Sequence, residues 1–490
     1  AKRAHPPSPR ARYGPQLRKG QVLCPPAGNF IGVIVQILIL LGAVGLFLFG
    51  MKTMSEALQK LSGHRLRNML TTMAGSPVRG IVASTAITAL VQSSSAVTVM
   101  IVSFVNAGML HLTQAIAMVM GANIGTTVTA WLVVLFGISF DIDLAAVPLI
   151  AFAAPLLLLR SERLRNLGNT LIGLALMLLA IHILRDAVTH FSTLSSFENY
   201  ITLLRGHGHW SPLLFVLAGA AMTAVLQSSS ATTALAIILC STGVIPFKCA
   251  MALILGDNVG TTLTANIAAT MTNTDGKRAA LSHLLFNLVG VLWALPLLAV
   301  LARGIASLVA AFGGVSPLLN GSPSQAVALA LFHTLFNVVN TLLLAGFIPQ
   351  AAHALDRLIP GDRHAKRASP LEGSALVSTS EMGLYQAREN LALCMKRGGE
   401  LTARVKTYFG EVNADNAQEL FLLVRQRSDE EQTAYKQLEQ QLARLTQQEL
   451  SQEGRLLVQA MNQLLTQLRA ATWLSVTAAQ VIRRKKERNI

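Results

Sequence analysis

Nine long apolar blocks make up most of the first 350 residues of this chain. They lie at about residues 31–50, 80–108, 112–137, 144–159, 167–184, 212–245, 248–270, 279–303 and 324–348. Most are close to the length of about 20 residues at which a helix crosses a bilayer. Because helices and closed barrels alone satisfy their backbone inside lipid, blocks of this length predict an all-α membrane protein.

The acidic residues avoid the same part of the chain. Sixteen of the 24 Asp and Glu residues follow residue 350, and of the eight before it only Asp257 lies inside a long apolar block. Ionised side chains are costly in hydrocarbon, so this scarcity supports a transmembrane domain. The net charge of +16 includes no basic stripe interleaved with aromatic residues, which argues against a nucleic-acid partner.

Two of the blocks, 80–108 and 212–245, are interrupted midway by the same polar quartet. Each half-block is too short to cross a bilayer alone. We therefore expect two re-entrant helical hairpins with polar tips at membrane depth, where protein or a water-filled cavity must surround them. The quartets are Gln92-Ser93-Ser94-Ser95 and Gln227-Ser228-Ser229-Ser230.

The hairpin blocks belong to an internal repeat with a constant offset between its two copies. The segment TALVQSSSAVTVM at Thr88 matches TAVLQSSSATTAL at Thr223, and at the same offset GANIGTTVTA at Gly121 matches GDNVGTTLTA at Gly256. An ungapped comparison of 45 positions starting at Thr88 gives 18 identities, which is more than shared hydrophobicity gives. We infer a gene duplication.

The order of the blocks predicts that the second copy is inverted in the membrane. A hairpin adds no net crossing, and three spanning blocks, an odd number, separate the two hairpins. Short loops on the side of the first hairpin's ends carry a net charge of +7, against 0 on the other side, so this side and the C-terminal residues are expected in the cytoplasm. The prediction is about seven spanning helices in a bacterial inner membrane.

The chain divides into four predicted parts. Residues 1–29 are basic and are expected to be a flexible tail or a segment foreign to the native chain. Residues 30–350 form the transmembrane domain, with repeat 1 at about 52–190 and repeat 2 at about 191–350. A linker at 351–377 leads to charged, periodic helices in 378–490, which predict a helical bundle with helices at about 378–409, 414–447 and 450–485.

The quartets carry groups that bind ions of both signs. A serine cluster at a broken helix offers hydroxyls, unpaired backbone N–H groups and the positive end of a half-helix dipole, all of which hold anions. The freed carbonyls, the hydroxyl oxygens and the amide oxygen of Gln92 or Gln227 suit a hard cation such as sodium. Neither motif contains Arg or Lys, so a doubly charged anion needs co-bound cations, which is a physical reason for coupling.

The second repeated string, G-x-N-x-G-T-T, is expected to break the helix after each hairpin and to set amides and hydroxyls beside the tip. Asp257 replaces Ala122 of the first copy. It either neutralises sodium or titrates a proton, or it caps the restarting helix. The string comprises Gly121, Asn123, Gly125, Thr126 and Thr127 in one copy, and Gly256, Asn258, Gly260, Thr261 and Thr262 in the other.

Further polar residues near these motifs have less specific roles. His283 and His333, in two H-x-L-F-N strings, are expected to pack and to form helix-to-helix hydrogen bonds. The four cysteines have no C-x-x-C spacing and are expected to be free thiols. Four threonines either add hydroxyls to the site or bond their own i−4 carbonyls, namely Thr88, Thr98, Thr223 and Thr233.

Taken together, these residues resemble a known family. The doubled QSSS with GANIGTT and GDNVGTT, the segment GLFLFGMKTMSEALQKLSGHRLRNML and the H-x-L-F-N pair are similar to bacterial sodium-phosphate cotransporters related to the animal type II carriers. The resemblance covers about residues 31–350. It implies alternating access, with inorganic phosphate as the substrate and Na⁺ as the coupling ion. No cofactor is expected, and the further expected partners are the lipid bilayer and a second copy of the chain in a homodimer.

The resemblance also implies two sets of site residues. Phosphate is expected at both quartets, that is at Gln92, Ser93, Ser94, Ser95, Gln227, Ser228, Ser229 and Ser230. Sodium is expected between each quartet and its threonine-rich stretch, at Gln92, Asn123, Thr126, Thr127, Thr129, Gln227, Ser228, Asp257, Asn258, Thr261, Thr262 and Thr264.

The C-terminal helices are similar in size and pattern to part of a PhoU domain, which bacterial members of the family often carry. The run from Leu468 to Thr472 lacks the acidic residues of the metal-binding motif, so no metal other than Na⁺ is expected. A regulatory or docking role for this region is a hypothesis.

Two alternatives to sodium-coupled phosphate transport stay open. One is a sodium-coupled carrier or exporter of another small anion, and the other is a membrane phosphate sensor that acts through the C-terminal domain. An enzyme is not expected, because no G-x-S-x-G string, no histidine with an orienting acid and no metal-ligand cluster accompanies the quartet serines.

Overall fold

The computed structural model describes residues 30–72, 76–106, 110–137, 142–192, 210–360, 380–410, 414–447, 450 and 452–487. In these segments the chain forms sixteen helices and no strand, so the prediction of an all-α protein is confirmed. The expected tail 1–29 and residues 361–377 of the expected linker lie outside the described residues.

Three groups of helices follow one another along the chain. The first group is α1 (Phe30–Thr72), α2 (Pro77–Val91), α3 (Ser94–Asn106), α4 (Leu112–Gly137), α5 (Ile142–Leu157) and α6 (Glu162–Ser192). The second is α7 (Ser211–Leu226), α8 (Ser229–Ser241), α9 (Phe247–Ala269), α10 (Thr274–Ala294), α11 (Leu298–Ala311), α12 (Gln325–Ala345) and α13 (Ile348–Leu358). The third is α14 (Ser380–Gly410), α15 (Ala414–Thr446) and α16 (Gln452–Glu487).

Among the described helices, α1, α4, α6 and α12 are long and apolar enough to cross a membrane. The pair α10 and α11 is a fifth candidate, bent by 81° at a short break that contains Pro296. This is fewer than the seven predicted spans. The helix α5 has only 16 residues, and α9 carries Asp257 and its polar neighbours at its centre, so neither belongs to the set.

The two quartets break their helices with the same backbone conformation. Gln92 has a φ of 52° and Gln227 a φ of 51°, and each is the left-handed residue that ends its helix. A left-handed conformation is uncommon for a residue with a side chain and is found mostly at special sites. The next helix then begins two residues later, at Ser94 in one copy and at Ser229 in the other. The sequence repeat is therefore also a repeat of local structure.

The predicted break at the G-x-N-x-G-T-T strings is wrong. The helix α4 continues through Gly121 and Thr127, and α9 continues through Gly256 and Thr262. Sequence alone favoured a turn, because paired glycines are a turn signal. In the fold they instead allow another helix to approach closely.

The approach is set by backbone atoms. A Cβ at Gly121 would lie 2.1 Å from the carbonyl oxygen of Ile81 in α2, and a Cβ at Gly256 would lie 1.9 Å from that of Val216 in α7. The two contacts are equivalent, because the offset that relates the glycines also relates Ile81 to Val216. The first helix of each broken pair thus lies directly against α4 in the first copy and against α9 in the second, which only glycine permits.

The two copies also contact each other across the molecule. The helix α3 packs against α9 of the second copy, and α8 packs against α4 of the first. The helix α1 runs along α6 and contacts both α2 and α8. This exchange of contacts brings the two helix breaks to one place, beside α1.

The last three helices pack against one another around a separate apolar core that includes Leu384, Tyr435, Leu438 and Leu465. This bundle also contacts the rest of the chain, because α14 lies against α1 and α3. At the start of α16 the backbone N–H of Gln452 donates to the Glu162 carboxylate at 3.1 Å, which caps the helix.

Candidate functional site

A single cavity of about 390 Å³ lies between the two helix breaks. All eight quartet residues line it, so the residues expected to bind phosphate are brought together. The remaining lining residues come from α1 and from the ends of α2 and α7, namely Leu48, Met51, Lys52, Ser55, Glu56, Val91 and Leu226.

One buried hydroxyl among the residues of the cavity lining has no partner within the described structure. Gln92, Ser94, Ser229 and Ser230 are all buried. The hydroxyl of Ser94 makes no hydrogen bond within the described structure. A buried polar atom without a partner costs about 1–3 kcal/mol, so such an atom beside a cavity is suited to a bound ligand.

Thr129 of α4 joins the two quartets. Its hydroxyl donates to Gln92 Oε1 at 2.9 Å and accepts from the hydroxyl of Ser230 at 3.4 Å. The equivalent Thr264 does not do this, because its hydroxyl contacts the carbonyl of Thr261 in its own helix at 3.5 Å. Of this expected sodium pair, Thr129 is the one with hydrogen bonds to the quartets in the described structure.

Asp257 is 1% exposed and lies in the middle of α9, which begins at Phe247, so the interpretation as a helix cap is wrong. Its carboxylate joins the two arms of the second helix break. Oδ1 accepts from the hydroxyl of Thr223 in α7 at 2.7 Å, and Oδ2 accepts from that of Thr233 in α8 at 2.6 Å. The hydroxyls of these two threonines are therefore directed at Asp257 rather than at their own i−4 carbonyls.

The first copy has different chemistry at the equivalent place. Ala122 stands where Asp257 stands, and the buried hydroxyls of Ser84 and Thr88 have no hydrogen-bond partner in the described structure. Thr98 follows the other interpretation, since its hydroxyl donates to the i−4 carbonyl of Ser94 at 2.9 Å.

Six of the other residues expected to bind sodium donate hydrogen bonds back into their own helices. The amide of Asn123 donates to the carbonyl of Val119 at 2.8 Å, and Asn258 donates to Ile254 at the same distance. Their oxygen lone pairs remain acceptors, as do those of the hydroxyls. Four threonines also donate to carbonyls three or four residues earlier, at 2.7–2.9 Å: Thr126, Thr127, Thr261 and Thr262.

Sequence reasoning missed the contribution of α1. Lys52, Ser55 and Glu56 line the cavity. The hydroxyl of Ser55 donates to the carbonyl of Val91, the residue before the first quartet, and accepts from Gln59 at 3.0 Å. The spacing of these polar residues, i, i+3, i+4 and i+7 directly after an apolar run, is the signal that could have found them.

The remaining predictions have mixed outcomes. His283 and His333 are buried, as packing requires, but neither ring has a hydrogen-bond partner in the described structure, so the hydrogen bonds expected of the rings are wrong. In the second string the helix-to-helix bond comes from Asn337, whose amide donates to Asn258 Oδ1 in α9 at 3.4 Å. Cys240, Cys249 and Cys394 are buried thiols outside any disulfide, as predicted, and Cys24 lies outside the described residues. Among the described side chains no group of His, Cys, Asp or Glu could hold a metal ion.

Residues 46–186 and 199–319, together more than half of the chain, match the family model described as Na⁺/Pi-cotransporter. The chain belongs to this family. The family is one of transporters, and the human relative below is named a transport protein, so the resemblance to this family and the exclusion of an enzyme are both confirmed.

Two bacterial relatives match more than half of this Na⁺/Pi-cotransporter family member. It is 28% identical over 425 residues to the Escherichia coli K12 protein named "Putative inorganic phosphate export protein YjbB", covering 86% of this chain and 73% of the relative. It is 30% identical over 303 residues to "Uncharacterized protein YqeW" of Bacillus subtilis, covering 62% and 91%.

A shorter match links the same family member to animal proteins. It is 36% identical over 121 residues to the human "Sodium-dependent phosphate transport protein 2B", covering 24% of this chain and 16% of the relative. No solved structure matches the chain.

Proposed function

We propose that this protein transports inorganic phosphate across the membrane by alternating access, coupled to sodium, with the anion in the cavity between the two quartets. The observation that carries the proposal is that both quartets, far apart in sequence and one from each copy of the repeat, line the same cavity. A carrier needs one site that both halves of the molecule can expose, and a cavity between two repeats is suited to this.

Anion binding is supported by the chemistry of the helix breaks. The helices α3 and α8 begin at Ser94 and Ser229, so the positive ends of two half-helices lie at the cavity. The hydroxyl groups of the quartets supply further donors, and that of Ser94 has no other partner in the described structure. Phosphate is the anion named for the relatives.

Sodium binding is supported by oxygen-rich groups next to each break. In the second copy the carboxylate of Asp257 lies with the hydroxyls of Thr223 and Thr233. In the first copy the amide oxygen of Gln92 lies with the hydroxyl of Thr129. Oxygen ligands of these kinds suit a hard cation, and the matched animal relatives are named sodium-dependent.

The proposed arrangement in the membrane follows from the repeat. Each broken pair, α2 with α3 and α7 with α8, is a re-entrant hairpin, and the second copy is inverted relative to the first. The exchange of contacts between the copies is consistent with this. The charge of the short loops supports a cytoplasmic position for the C-terminal bundle in a bacterial cell. Its likeness to part of a PhoU domain and a homodimeric assembly remain predictions.

Export is a second candidate for the direction of transport. The Escherichia coli relative, which covers 86% of this chain, is named for phosphate export. The same cavity serves either direction, because alternating access is reversible and the gradients decide the net flux.

The test is radiolabelled phosphate flux in proteoliposomes. We expect phosphate uptake driven by an inward sodium gradient, little uptake when potassium replaces sodium, and persistence of uptake in excess sulfate. Efflux from preloaded vesicles tests export in the same preparation. Equal flux without sodium would refute the coupling, and competition by sulfate would refute selectivity for phosphate.

Two serine variants test the site itself. Ser94→Ala and Ser229→Ala should each abolish phosphate flux while leaving the amount of folded protein unchanged. Ser307→Ala is the matched control, because Ser307 is exposed on α11 and does not line the cavity. Flux near that of the wild type in both cavity variants would mean that the quartets only break the helices.

A further inference from the structure

We propose that Lys52 of α1 is a positioning residue for the anion at the mouth of the cavity, and that Glu56 holds this lysine until a small oxyanion takes its place. The inference rests on the proposed function. It deepens that function by assigning the anion a charged partner that neither repeated motif supplies.

The two side chains are the charged members of the cavity lining in the described structure. Lys52 and Glu56 lie one helical turn apart on α1, and both line the cavity together with the quartets. The remaining lining side chains are serines, glutamines and apolar residues. An anion that enters this cavity therefore meets one full positive charge and one full negative charge, both at α1.

The pair is weakly held. Lys52 Nζ lies 3.9 Å from Glu56 Oε1, and the side chains are 70% and 33% exposed. An exposed lysine–carboxylate pair at this distance contributes little to stability, because water screens the attraction and both side chains lose conformational freedom. A phosphate with two charges and several acceptor oxygens is a stronger partner for an ammonium group than one carboxylate at this distance.

The Cα of Lys52 is held in place although the side chain is largely exposed. Ser55, between the two charged residues, donates to the carbonyl of Val91, and Gln59 donates to Ser55. Ser55 and Gln59 are buried, so this face of α1 is attached to the first helix break. The long flexible side chain of Lys52 can then follow the anion while its Cα keeps one position relative to the quartets.

The opposite effects expected for the two charges define the experiment. In proteoliposomes, Lys52→Gln should raise the KM for phosphate by about tenfold and change kcat by less than about twofold, because a charge-assisted contact is lost. Lys52→Arg should restore most of the affinity. Glu56→Gln should lower the KM by about twofold, since it releases the lysine, and should have no effect when Lys52 is already Gln.

The matched control is Lys60→Gln, which removes a positive charge from the same helix at a position outside the cavity lining. Its KM should equal that of the wild type. A KM for Lys52→Gln within about twofold of wild type overturns the inference, as does a Glu56→Gln effect that is equal in both backgrounds, which would indicate direct repulsion of the anion.

A binding measurement separates this inference from the proposed function. Phosphate should raise the unfolding temperature of the purified wild type in sodium, and the concentration needed should rise about tenfold in Lys52→Gln. If the wild type neither binds nor moves phosphate, both proposals fail. If it does both and Lys52→Gln matches it, only the role of Lys52 fails.

Discussion

Replacing Gly256 by alanine tests the contact on which the second half of the site depends. A Cβ at this position would lie 1.9 Å from the carbonyl oxygen of Val216, 2.7 Å from its carbonyl carbon and 2.9 Å from the N of Ala220. All three are backbone atoms of α7, so no side-chain rotation can relieve the overlap. To reach an ordinary contact, α7 and α9 must separate by about 1.5 Å.

Separating the two helices lowers the stability of the protein and stretches a hydrogen bond at the site. Overpacking of a well-packed contact costs about 1–3 kcal/mol. The helices also carry Thr223 and Asp257, whose hydrogen bond of 2.7 Å would be stretched, and a hydrogen bond to a charged group contributes about 1.5–3 kcal/mol. We therefore expect Gly256→Ala to lower the free energy of unfolding by about 2–4 kcal/mol and to impair sodium-driven uptake.

The matched control is Gly304→Ala, because no atom lies within 4 Å of a Cβ built on Gly304 in α11. Alanine is favoured over glycine in a helix by about 0.5–1 kcal/mol, so this variant should be as stable as the wild type or slightly more stable. Thermal unfolding in one detergent compares the three proteins. If Gly256→Ala unfolds at the wild-type temperature, the packing argument is refuted.

Three further predictions concern single side chains. Thr129→Val removes the hydrogen bond to Gln92 and should weaken phosphate or sodium binding by about fivefold, measured as the KM in flux assays. Glu162→Ala removes the cap of α16 and should speed amide hydrogen exchange in its first turn by about fivefold, with the rest of the bundle unchanged. Burial raises the pKa of Glu431 from its ordinary value of 4.5 to about 7, so the folded bundle binds this proton more tightly than the unfolded chain does. Stability should therefore fall as pH rises from about 4.5 through 7, and this fall should be absent in Glu431→Gln, measured by pulse proteolysis of the full-length chain.

The features predicted correctly from the sequence are those with a local cause. Apolar blocks of near-spanning length predict helices, and a polar quartet inside such a block predicts a break. The breaks lie at Gln92 and Gln227, as the quartets indicated. The constant offset of the repeat predicts that a close helix contact beside one break recurs beside the other, and the equivalent glycine contacts of the two copies agree with this.

The features predicted wrongly depend on a partner that the local sequence does not contain. Gly121 and Gly125, four residues apart, have the composition of a turn. They lie in a continuous helix because α2 occupies the space that a Cβ would fill, and only the tertiary fold specifies that neighbour. The histidines are a similar case, since a repeated string such as H-x-L-F-N does not specify whether the ring finds a hydrogen-bond partner.

The contribution of α1 was missed for the same reason. Lys52 and Glu56 follow an apolar run and have the composition of a solvated helix end. Their position at the cavity depends on the packing of α1 beside α2 and α8, about 40 and 180 residues further along the chain. Neither Lys52 nor Glu56 has a counterpart at the repeat offset, so the repeat does not indicate a role for them.

The difference between the two copies bears on how the coupling would work under the proposed function. The partners of Asp257 are the hydroxyls of two threonines, whereas the first copy has Ala122 at that place. A carboxylate buried at membrane depth must be neutralised, so a sodium ion or a proton bound there balances Asp257 rather than the anion. The charge of the anion must then be balanced elsewhere, by a cation at the uncharged first copy, by the half-helix ends and by Lys52. The duplication would thus give both copies the same backbone geometry. The difference in charge between Asp257 and Ala122 would decide which cation accompanies the anion.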